Sequence, residues 1–299
     1  MKILCVGQTT YDITLPLDHY PVENKKVKVD QRIECGGGSA SICAYMLAKW
    51  GMNVYFASVV GNDYYGDILK REMEAVNVNL EYLQTMNSAG TAVSFVLANT
   101  SNGSRTILKN REDTLKMYNQ EIATDFDVIL LDGYEKDVAI SVMKRNPNAI
   151  KIIDAGRVSD TTVELSHLAD YIVCSNDFAR DYTGMEMDYD DIESIRKIYD
   201  KMKDDFKGNI IITLEDRGSF VFLDDYVIIP SIKVNVVDST CAGDIYHGAF
   251  TYFIANNYDL LETVKLSNIT GALSVEKVGG RNSIPLLEEV MDKHNENII

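Results

Sequence analysis

The sequence contains no long hydrophobic run, and no stretch approaches the roughly 20 apolar residues that a membrane-spanning helix needs. Residues 1–7 are too few for the apolar core of a signal peptide and end in a turn. Cysteine is scarce, and no C-x-x-C spacing occurs that would indicate a zinc site. The cysteines, odd in number and widely scattered, are Cys5, Cys35, Cys43, Cys174 and Cys241. These absences argue against a disulfide framework and predict a soluble protein of the reducing cytoplasm.

Basic residues are also few: 29 Lys and Arg stand against 45 Asp and Glu, which leaves a net charge of -16. Nucleic acids and anionic membranes both need a basic face, so we expect neither as a partner. With 299 residues and 46% hydrophobic content, the chain can form one large α/β domain or two modest ones. No repeat or interdomain linker is apparent, and we expect a single domain over residues 1–299.

Two common nucleotide-binding fingerprints are missing. The glycines at residues 36–38 are not followed by Gly-Lys-Ser/Thr, so they do not form a P-loop. Neither they nor the turn at residues 7–10 match G-x-G-x-x-G, which disfavours dinucleotide binding. By itself, a glycine cluster before a helix could simply permit positive φ and close packing.

Apolar runs of strand length alternate with helix-like segments along most of the chain. We predict strands over residues 3–6, 54–60, 128–131, 150–153, 171–174 and 210–214. We predict helices over residues 39–49, 65–76, 138–144, 190–206, 242–256 and 260–276. This alternation predicts a three-layer α/β fold, with a mostly parallel central sheet and helices on both faces.

Two stretches, at residues 11–35 and 90–109, do not fit the alternation. In the first, Val27, Val29 and Ile33 alternate with polar residues. In the second, strand-like residues flank a polar Asn102-Gly103 turn, which predicts a hairpin. Strands of this kind could form a small separate sheet.

The most informative stretch is residues 234–250. Val234, Val236 and Val237 predict a strand that ends at Asp238, and a turn of small residues then leads into a helix. The free N–H groups and positive dipole end of that helix would suit an anion, with Asp244 beside it as a base. Asp244 could also be an ordinary first-turn acid. The second acid, Asp238, and the costly Gly248 inside the helix favour a ligand site.

Residues 238–249 resemble the signature of the ribokinase-like (PfkB) carbohydrate kinases, Asp-Thr-x-Gly-Ala-Gly-Asp followed by an aromatic residue and Gly-Ala. The resemblance implies that Asp244 is the catalytic base. It also implies that the backbone N–H groups of Cys241, Ala242 and Gly243 form an anion hole for the transferred phosphoryl group. Cys241 is a departure, because the family usually has glycine there.

The resemblance further implies ATP and magnesium as cofactors and a β lid near residues 12–35 and 90–109, through which a homodimer could form. On the sugar side it continues with the glycine turn and with Asp12, a carboxylate able to accept hydrogen bonds from two hydroxyls. Ser41 stands where many members carry a substrate-contacting Asn. The implied substrate contacts are Asp12, Gly36, Gly37, Gly38, Ser41, Asn110 and Asp244.

On the nucleotide side, the stretch from Thr213 to Gly218 resembles the strand and turn that border ATP, with Glu215 in place of the first Gly. The implied contacts are Thr213, Glu215, Arg217, Gly218, Asp238, Gly243, Asn268 and Gly271. The last two have ordinary alternatives, a polar helix residue and a C-cap glycine. Residues 278–281 match a region that binds a monovalent cation in some relatives.

Metal ligands cannot be predicted from the resemblance. Many members carry Asn-x-x-Glu near residues 176–179, and the Glu helps to order magnesium, but Phe178 and Ala179 cannot replace it. Asn176 or Asp177 could substitute, or the nucleotide phosphates could hold most of the ion.

We therefore expect an ATP-dependent kinase that phosphorylates a hydroxyl of a sugar or sugar-like polyol. One alternative is a nucleoside kinase, for which Tyr11, Phe95 or Tyr134 could supply a wall for the base. Another is a noncatalytic sugar-binding or regulatory relative, because the magnesium-ordering Glu is missing.

Overall fold

In the computed structural model, which describes residues 1–296, a nine-stranded sheet forms the centre of the protein. In spatial order the strands are β13 (Tyr226–Ile229), β12 (Ser219–Phe222), β11 (Asn209–Thr213), β10 (Tyr171–Ser175), β9 (Ile150–Ala155), β8 (Val128–Leu131), β1 (Lys2–Val6), β4 (Asn53–Gly61) and β5 (Leu83–Met86). Every neighbouring pair from β11 to β5 is parallel. The pairs β11–β12 and β12–β13 at the other end of the sheet are antiparallel. The predicted, mostly parallel sheet is confirmed.

Helices cover both faces of this sheet. They are α1 (Ser39–Lys49), α2 (Tyr64–Ala75), α3 (Lys136–Arg145), α4 (Asp160–Ser166), α5 (Asn176–Thr183), α6 (Ile192–Asp205), α7 (Ala242–Ala255), α8 (Leu260–Ser274) and α9 (Leu287–Glu296). Side chains of β1 point alternately to the two faces: Ile3 and Cys5 join the core beside α1 and α7, whereas Leu4 and Val6 join the core beside α3 to α6. The two buried faces explain the nearly continuous apolar runs of the strands. None of the helices within residues 1–296 is long and apolar enough to cross a bilayer.

A second sheet of four strands stands apart from the first. Its spatial order is β3 (Ile33–Gly37), β2 (Thr10–Leu17), β6 (Val93–Asn99) and β7 (Arg105–Asn110). The antiparallel pair β6 and β7 is the predicted hairpin. We call this four-stranded sheet the lid.

Some predicted elements were wrong. Residues 234–237 form no strand, because the N–H groups of Val237 and Asp238 both donate to the Val275 carbonyl beyond α8, at 2.8 and 3.1 Å, and Val236 is exposed. Residues 27 and 29 are likewise irregular, the first exposed and the second half-buried. Helices α4, α5 and α9 and the hairpin of β12 and β13 were not predicted, since each is short.

Candidate active site

Helix α7 begins where the small-residue turn ends, and its first turn opens onto free space. Cys241, its N-cap residue, has a φ of 63°, a left-handed conformation that would suit the glycine usual in the resembled family. In the described chain no side chain caps this helix end, and a Cβ built on Gly243 would meet no atom within 4 Å. Asp244 lies in the same turn and is half-buried. Unsatisfied N–H groups facing a gap beside a carboxylate form a suitable site for an anion and a base.

Asp238 stabilises this turn through hydrogen bonds with backbone N–H groups. Its buried carboxylate accepts hydrogen bonds from the backbone N–H groups of Thr240, at 2.9 Å, and Gly279, at 3.0 Å. It thereby ties the turn to the loop that follows α8. The Thr240 hydroxyl oxygen is buried beside it and has no hydrogen-bond partner in residues 1–296.

A second carboxylate, that of Asp12 in β2, faces the same space from the lid. Asp12, Ser94 and Lys109 lie in one row across β2, β6 and β7. Burial raises the pKa of Asp12, and the charge of Asp244 adds to the effect, whereas hydrogen bonds from Thr10 and Ser94 and the charge of Lys109 oppose it. This mutual influence places Asp12 and Asp244 within electrostatic range of each other.

The glycine turn at residues 36–38 lets the backbone approach these groups closely. A Cβ on Gly37 would overlap the Asp12 carboxylate, and Gly38 has a φ of 89°, where an added Cβ would lie 2.6 Å from the Gln8 carbonyl oxygen. The N–H of Gly36 donates to Glu72 at 2.9 Å. A side chain at residue 37 would displace the Asp12 carboxylate, and one at residue 38 would meet the backbone of Gln8 and Thr9, so these glycines are needed for packing around the carboxylate.

Ser41 lies behind this turn and is fully buried. Its hydroxyl accepts a hydrogen bond from Thr9 at 3.0 Å and another from Arg281 Nη2 at 2.5 Å. Arg281 is itself 4% exposed, forms an ion pair with Glu72 and packs against Gly36. In this conformation Ser41 supports the pocket wall, and the Arg281 guanidinium covers the position from which a substrate contact was expected.

The tip of the lid reaches the turn before α7. Arg105 of β7 donates two hydrogen bonds to Ser239, to the backbone oxygen at 2.9 Å and to the hydroxyl at 2.7 Å. The Ser239 hydroxyl donates in turn to the Gly103 carbonyl at 2.9 Å. Asn110, the predicted substrate contact, ends β7 and is exposed.

On the predicted nucleotide side, several residues are occupied by structural contacts. Asn268 is buried and bridges Ser219 and the Ile229 carbonyl, and Gly218, with a φ of 104°, closes the turn between β11 and β12. Arg217 pairs with Asp190 at 2.5 Å. Glu215 has a φ of 56° and lies 3.4 Å from the amide of Asn176.

The two remaining positions on that side differ in setting. The Thr213 hydroxyl donates to the Cys174 carbonyl at 3.3 Å. Gly271 of α8 packs against α7, where an added Cβ would lie 3.6 Å from the Ala242 carbonyl. Gly271 therefore touches the anion-hole turn through the backbone, whereas the hydroxyl of Thr213 is used within the sheet.

The segment that lacks the magnesium-ordering Glu of many family members forms the start of α5. Phe178 and Ala179 are fully buried in the core. Asp177 pairs with Arg180 at 2.6 Å, and Asn176 bonds to Tyr189. Within residues 1–296 no three His, Cys, Asp or Glu residues cluster as metal ligands.

The sequence did not single out two buried acids at the ends of β8 and β9. Asp132 accepts hydrogen bonds from the N–H groups of Gln8, Ala40 and Tyr134, yet burial raises its pKa to about 6. Burial also raises the pKa of Asp154, whose carboxylate lies 3.4 Å from His247. Their position at the carboxyl ends of parallel strands was the signal that could have identified them.

Comparisons with known proteins agree with this geometry. Residues 1–287 match the family described as pfkB family carbohydrate kinase. A deoxyribokinase of Salmonella typhi is 27% identical, with 97% of each chain covered.

Among solved structures, a provisionally named ribokinase from Agrobacterium tumefaciens is 25% identical with a TM-score of 0.88, covering 99% of this chain and 98% of that one. The Arabidopsis thaliana ribokinase, solved with ribose and ATP, is 22% identical with a TM-score of 0.81 and 97% coverage of each chain. The ribokinase-like fold is thus confirmed. With the family match spanning nearly the whole chain, this protein belongs to the pfkB family of carbohydrate kinases.

Proposed function

We propose that this chain is an ATP-dependent kinase that transfers a phosphoryl group to a hydroxyl of a sugar or sugar-like polyol. The observation that carries the proposal is the open first turn of α7, where Asp244 stands beside N–H groups that face free space at Gly243. Asp12 of the lid lies within electrostatic range of Asp244, which supports its proposed role as an acceptor for substrate hydroxyls. The Arabidopsis ribokinase solved with ribose and ATP supports the choice of ligands.

In the proposed mechanism, the protein supplies position and electrostatic stabilisation. Asp244 accepts the proton of the attacking hydroxyl, and the N–H groups of Cys241, Ala242 and Gly243 stabilise charge on the transferred group. Arg105, held on Ser239, adds positive charge at the edge of the same turn. The lid excludes water, which would otherwise hydrolyse ATP.

Residues 1–296 offer no ready set of ligands for magnesium. Asp177 is engaged by Arg180 and Asn176 by Tyr189, so neither is a free ligand. The ion would arrive with the nucleotide, since it often keeps its waters and binds mainly to phosphates.

A monovalent cation fits better. The Thr240 backbone N–H is bonded to the Asp238 carboxylate, and the Thr240 hydroxyl is buried with no partner in residues 1–296; oxygen atoms of this kind suit such a cation. We propose that Asp238 and Thr240 would hold it. Bound there, it would add positive charge behind the anion hole.

We favour a sugar over a nucleoside because two of the three suggested aromatic walls, Tyr11 and Tyr134, are engaged by other side chains, whereas the third, Phe95, is exposed on the lid. Tyr11 is buried and stacked on Tyr65 with ring centroids 4.6 Å apart. Tyr134 lies between Arg111 and Arg157, and its hydroxyl is bonded to Arg157. ADP release measured against ketoses, aldoses, sugar acids, phosphosugars and nucleosides separates these substrates. Release with none of them would favour the noncatalytic alternative.

Asp244→Asn tests the role of the base. Loss of a general base lowers turnover by roughly 10²- to 10⁴-fold, while ATP affinity by calorimetry should be nearly unchanged. Asp160→Asn is the matched control, because Asp160 is also a first-turn acid, at the start of the remote helix α4. Near-normal turnover of the Asp244 variant would contradict the assignment.

We also propose that the chain forms a single kinase domain and works in the cytoplasm. We further propose that two copies form a homodimer through the lid. Phe95 and Leu108 face each other across β6 and β7, and both are exposed. Strand β7 is the outer edge of its sheet, and an exposed edge strand is a template for pairing. The cysteines, all free, fit a reducing compartment.

A further inference from the structure

His247 lies inside α7, one turn after the anion hole, and is 4% exposed. Its Nδ1 atom is 2.5 Å from the Gly243 carbonyl oxygen. Its Nε2 atom is 3.0 Å from the Val173 carbonyl oxygen in β10 and 3.4 Å from Asp154 Oδ1 at the end of β9. One ring therefore connects the first turn of α7 to two central strands.

The contacts determine the protonation of this ring. The Gly243 and Val173 oxygens can only accept hydrogen bonds, so each needs an N–H from the nitrogen that faces it. A neutral imidazole has one N–H and would turn a lone pair toward the other carbonyl. Transfer of the Nε2 proton to Asp154 would not satisfy both carbonyls, because Nε2 would then face the Val173 oxygen without a hydrogen. Both ring nitrogens carry hydrogens only in the imidazolium.

The charges around His247 also favour a cation. Asp154 comes from β9, Asp132 from β8 and Asp244 from α7 itself, while α1 contributes the buried thiol of Cys43. Burial, Asp244 and Asp132 all raise the pKa of Asp154, and His247 opposes them. The Tyr246 ring lies 5.9 Å away. His247 is a basic group that interacts with Asp154 within this set.

We propose that His247 is a buried imidazolium that positions the anion hole and offsets the negative charge of Asp154. The proposal rests on the kinase function proposed above. His247 touches neither substrate nor the reacting atoms. It is a positioning residue that fixes the Gly243 carbonyl, and hence the first turn of α7, against β9 and β10.

The charge can be tested without any assay of activity. In ¹⁵N spectra of uniformly labelled protein at pH 7, both ring nitrogens of His247 should show protonated-type shifts. The other histidines, His19, His167 and His294, are each replaced by Asn so that the remaining signal is assigned by elimination. A neutral ring at pH 7, with one unprotonated nitrogen, would overturn the proposal even if the kinase assignment stands.

The positioning role is tested with His247→Asn, which can reach the Gly243 carbonyl but neither Val173 nor Asp154. We expect kcat to fall by roughly 10- to 100-fold, with the KM for ATP and for the sugar changed less than about threefold, because a small displacement of the site affects the transition state most. His167→Asn is the control, since His167 is exposed and near Phe206. An unchanged kcat, or a loss confined to KM, would contradict this role.

The ion pair predicts a further, independent result. Asp154→Asn alone leaves a buried cation unpaired, and His247→Asn alone leaves a buried carboxylate unpaired. The double variant should therefore lose less thermal stability than the sum of the two single losses. If the losses of thermal stability were additive, His247 and Asp154 would not form the proposed ion pair. If His247→Asn does not fold, Asp154→Asn alone still tests the ion pair, because it should lower the thermal stability by leaving the buried cation unpaired.

Discussion

At the scale of single residues, the proposed sugar site depends on the absence of a side chain at Gly37. The Asp12 carboxylate occupies the place where a Cβ at residue 37 would lie. Asp12 is 8% exposed and is held by Thr10 at 2.7 Å, so it has little room to move aside. The glycine turn and the acid therefore form one unit.

Gly37→Ala should displace Asp12 and remove a charge-assisted hydrogen bond to the substrate. Such a bond contributes about 1.5 to 3 kcal/mol, so kcat/KM for the sugar should fall by roughly 10- to 100-fold. The KM for ATP should stay nearly constant. Steady-state kinetics with each substrate varied in turn checks this. Gly90→Ala is the control, since its Cβ would meet its nearest neighbour at 3.5 Å. Equal losses for both variants would contradict the role of Asp12.

Motif residues could be predicted from the sequence, whereas their partners could not. Asp244 and Asp12 could be singled out from nearby glycines, although the strand predicted before Asp238 is absent and Asp12 lies inside β2. His247, by contrast, depends on Asp154 and Val173, which are distant in sequence and adjacent only in the folded sheet. Arg281 reaches Ser41 across 240 positions. Contacts of this kind have no local pattern.

At the scale of elements, the lid hairpin is fastened to the turn that precedes α7. Arg105 and Gly103 both bond to Ser239, next to Asp238. Residues that belong to different sheets and helices thus meet at one loop. Closure of the lid and order in the anion-hole turn should depend on each other.

Arg105→Ala should loosen this contact. Because Arg105 is exposed, we expect a modest effect: a roughly three- to tenfold fall in kcat/KM and a larger share of ATP hydrolysed without transfer to sugar. The ratio of ADP formed to sugar phosphate formed measures this uncoupling. Arg32→Ala is the control, since Arg32 pairs within the lid with Glu34 at 2.5 Å. A ratio equal to that of the unmodified protein would count against the hairpin as a water barrier.

Long periodic elements were predictable, and irregular ones were not. Helix α1 was predicted with the observed bounds, because its apolar pattern is continuous. Residues 234–237 carry strand-type side chains yet bond to the end of α8, so tertiary contacts overrode local propensity. The close packing expected at Gly248 is present, since a Cβ there would lie 2.8 Å from Met46 Sδ.

At the scale of the whole molecule, the lid carries apolar surface that a second copy could cover. Leu108 is 56% exposed in the edge strand β7. Leu108→Lys should place a charge in that contact and shift a dimer toward monomer by at least tenfold in its dissociation constant. Sedimentation velocity over a concentration series measures the shift. Leu286→Lys, at a similarly exposed leucine before α9, should leave the assembly unchanged. Equal behaviour of both variants would exclude the lid as the interface.

Stability should also depend on pH through Asp132. Its pKa rises from 3.8 to about 6 on folding, so the folded protein binds the proton more tightly than the unfolded chain does. The stabilisation is therefore complete below about pH 4 and is lost as pH rises through 6, by about 3 kcal/mol at most.

Asp132→Asn removes this titration. Asn cannot accept all three N–H bonds, so the variant should be less stable at every pH, but its free energy of unfolding should fall less steeply between pH 4 and pH 7. Urea unfolding across that range measures both curves. Asp127→Asn, at the exposed opposite end of β8, should keep the slope of the unmodified protein. If the curve of Asp132→Asn ran parallel to that of the unmodified protein, the pH dependence would have to come from other acids, such as Asp154.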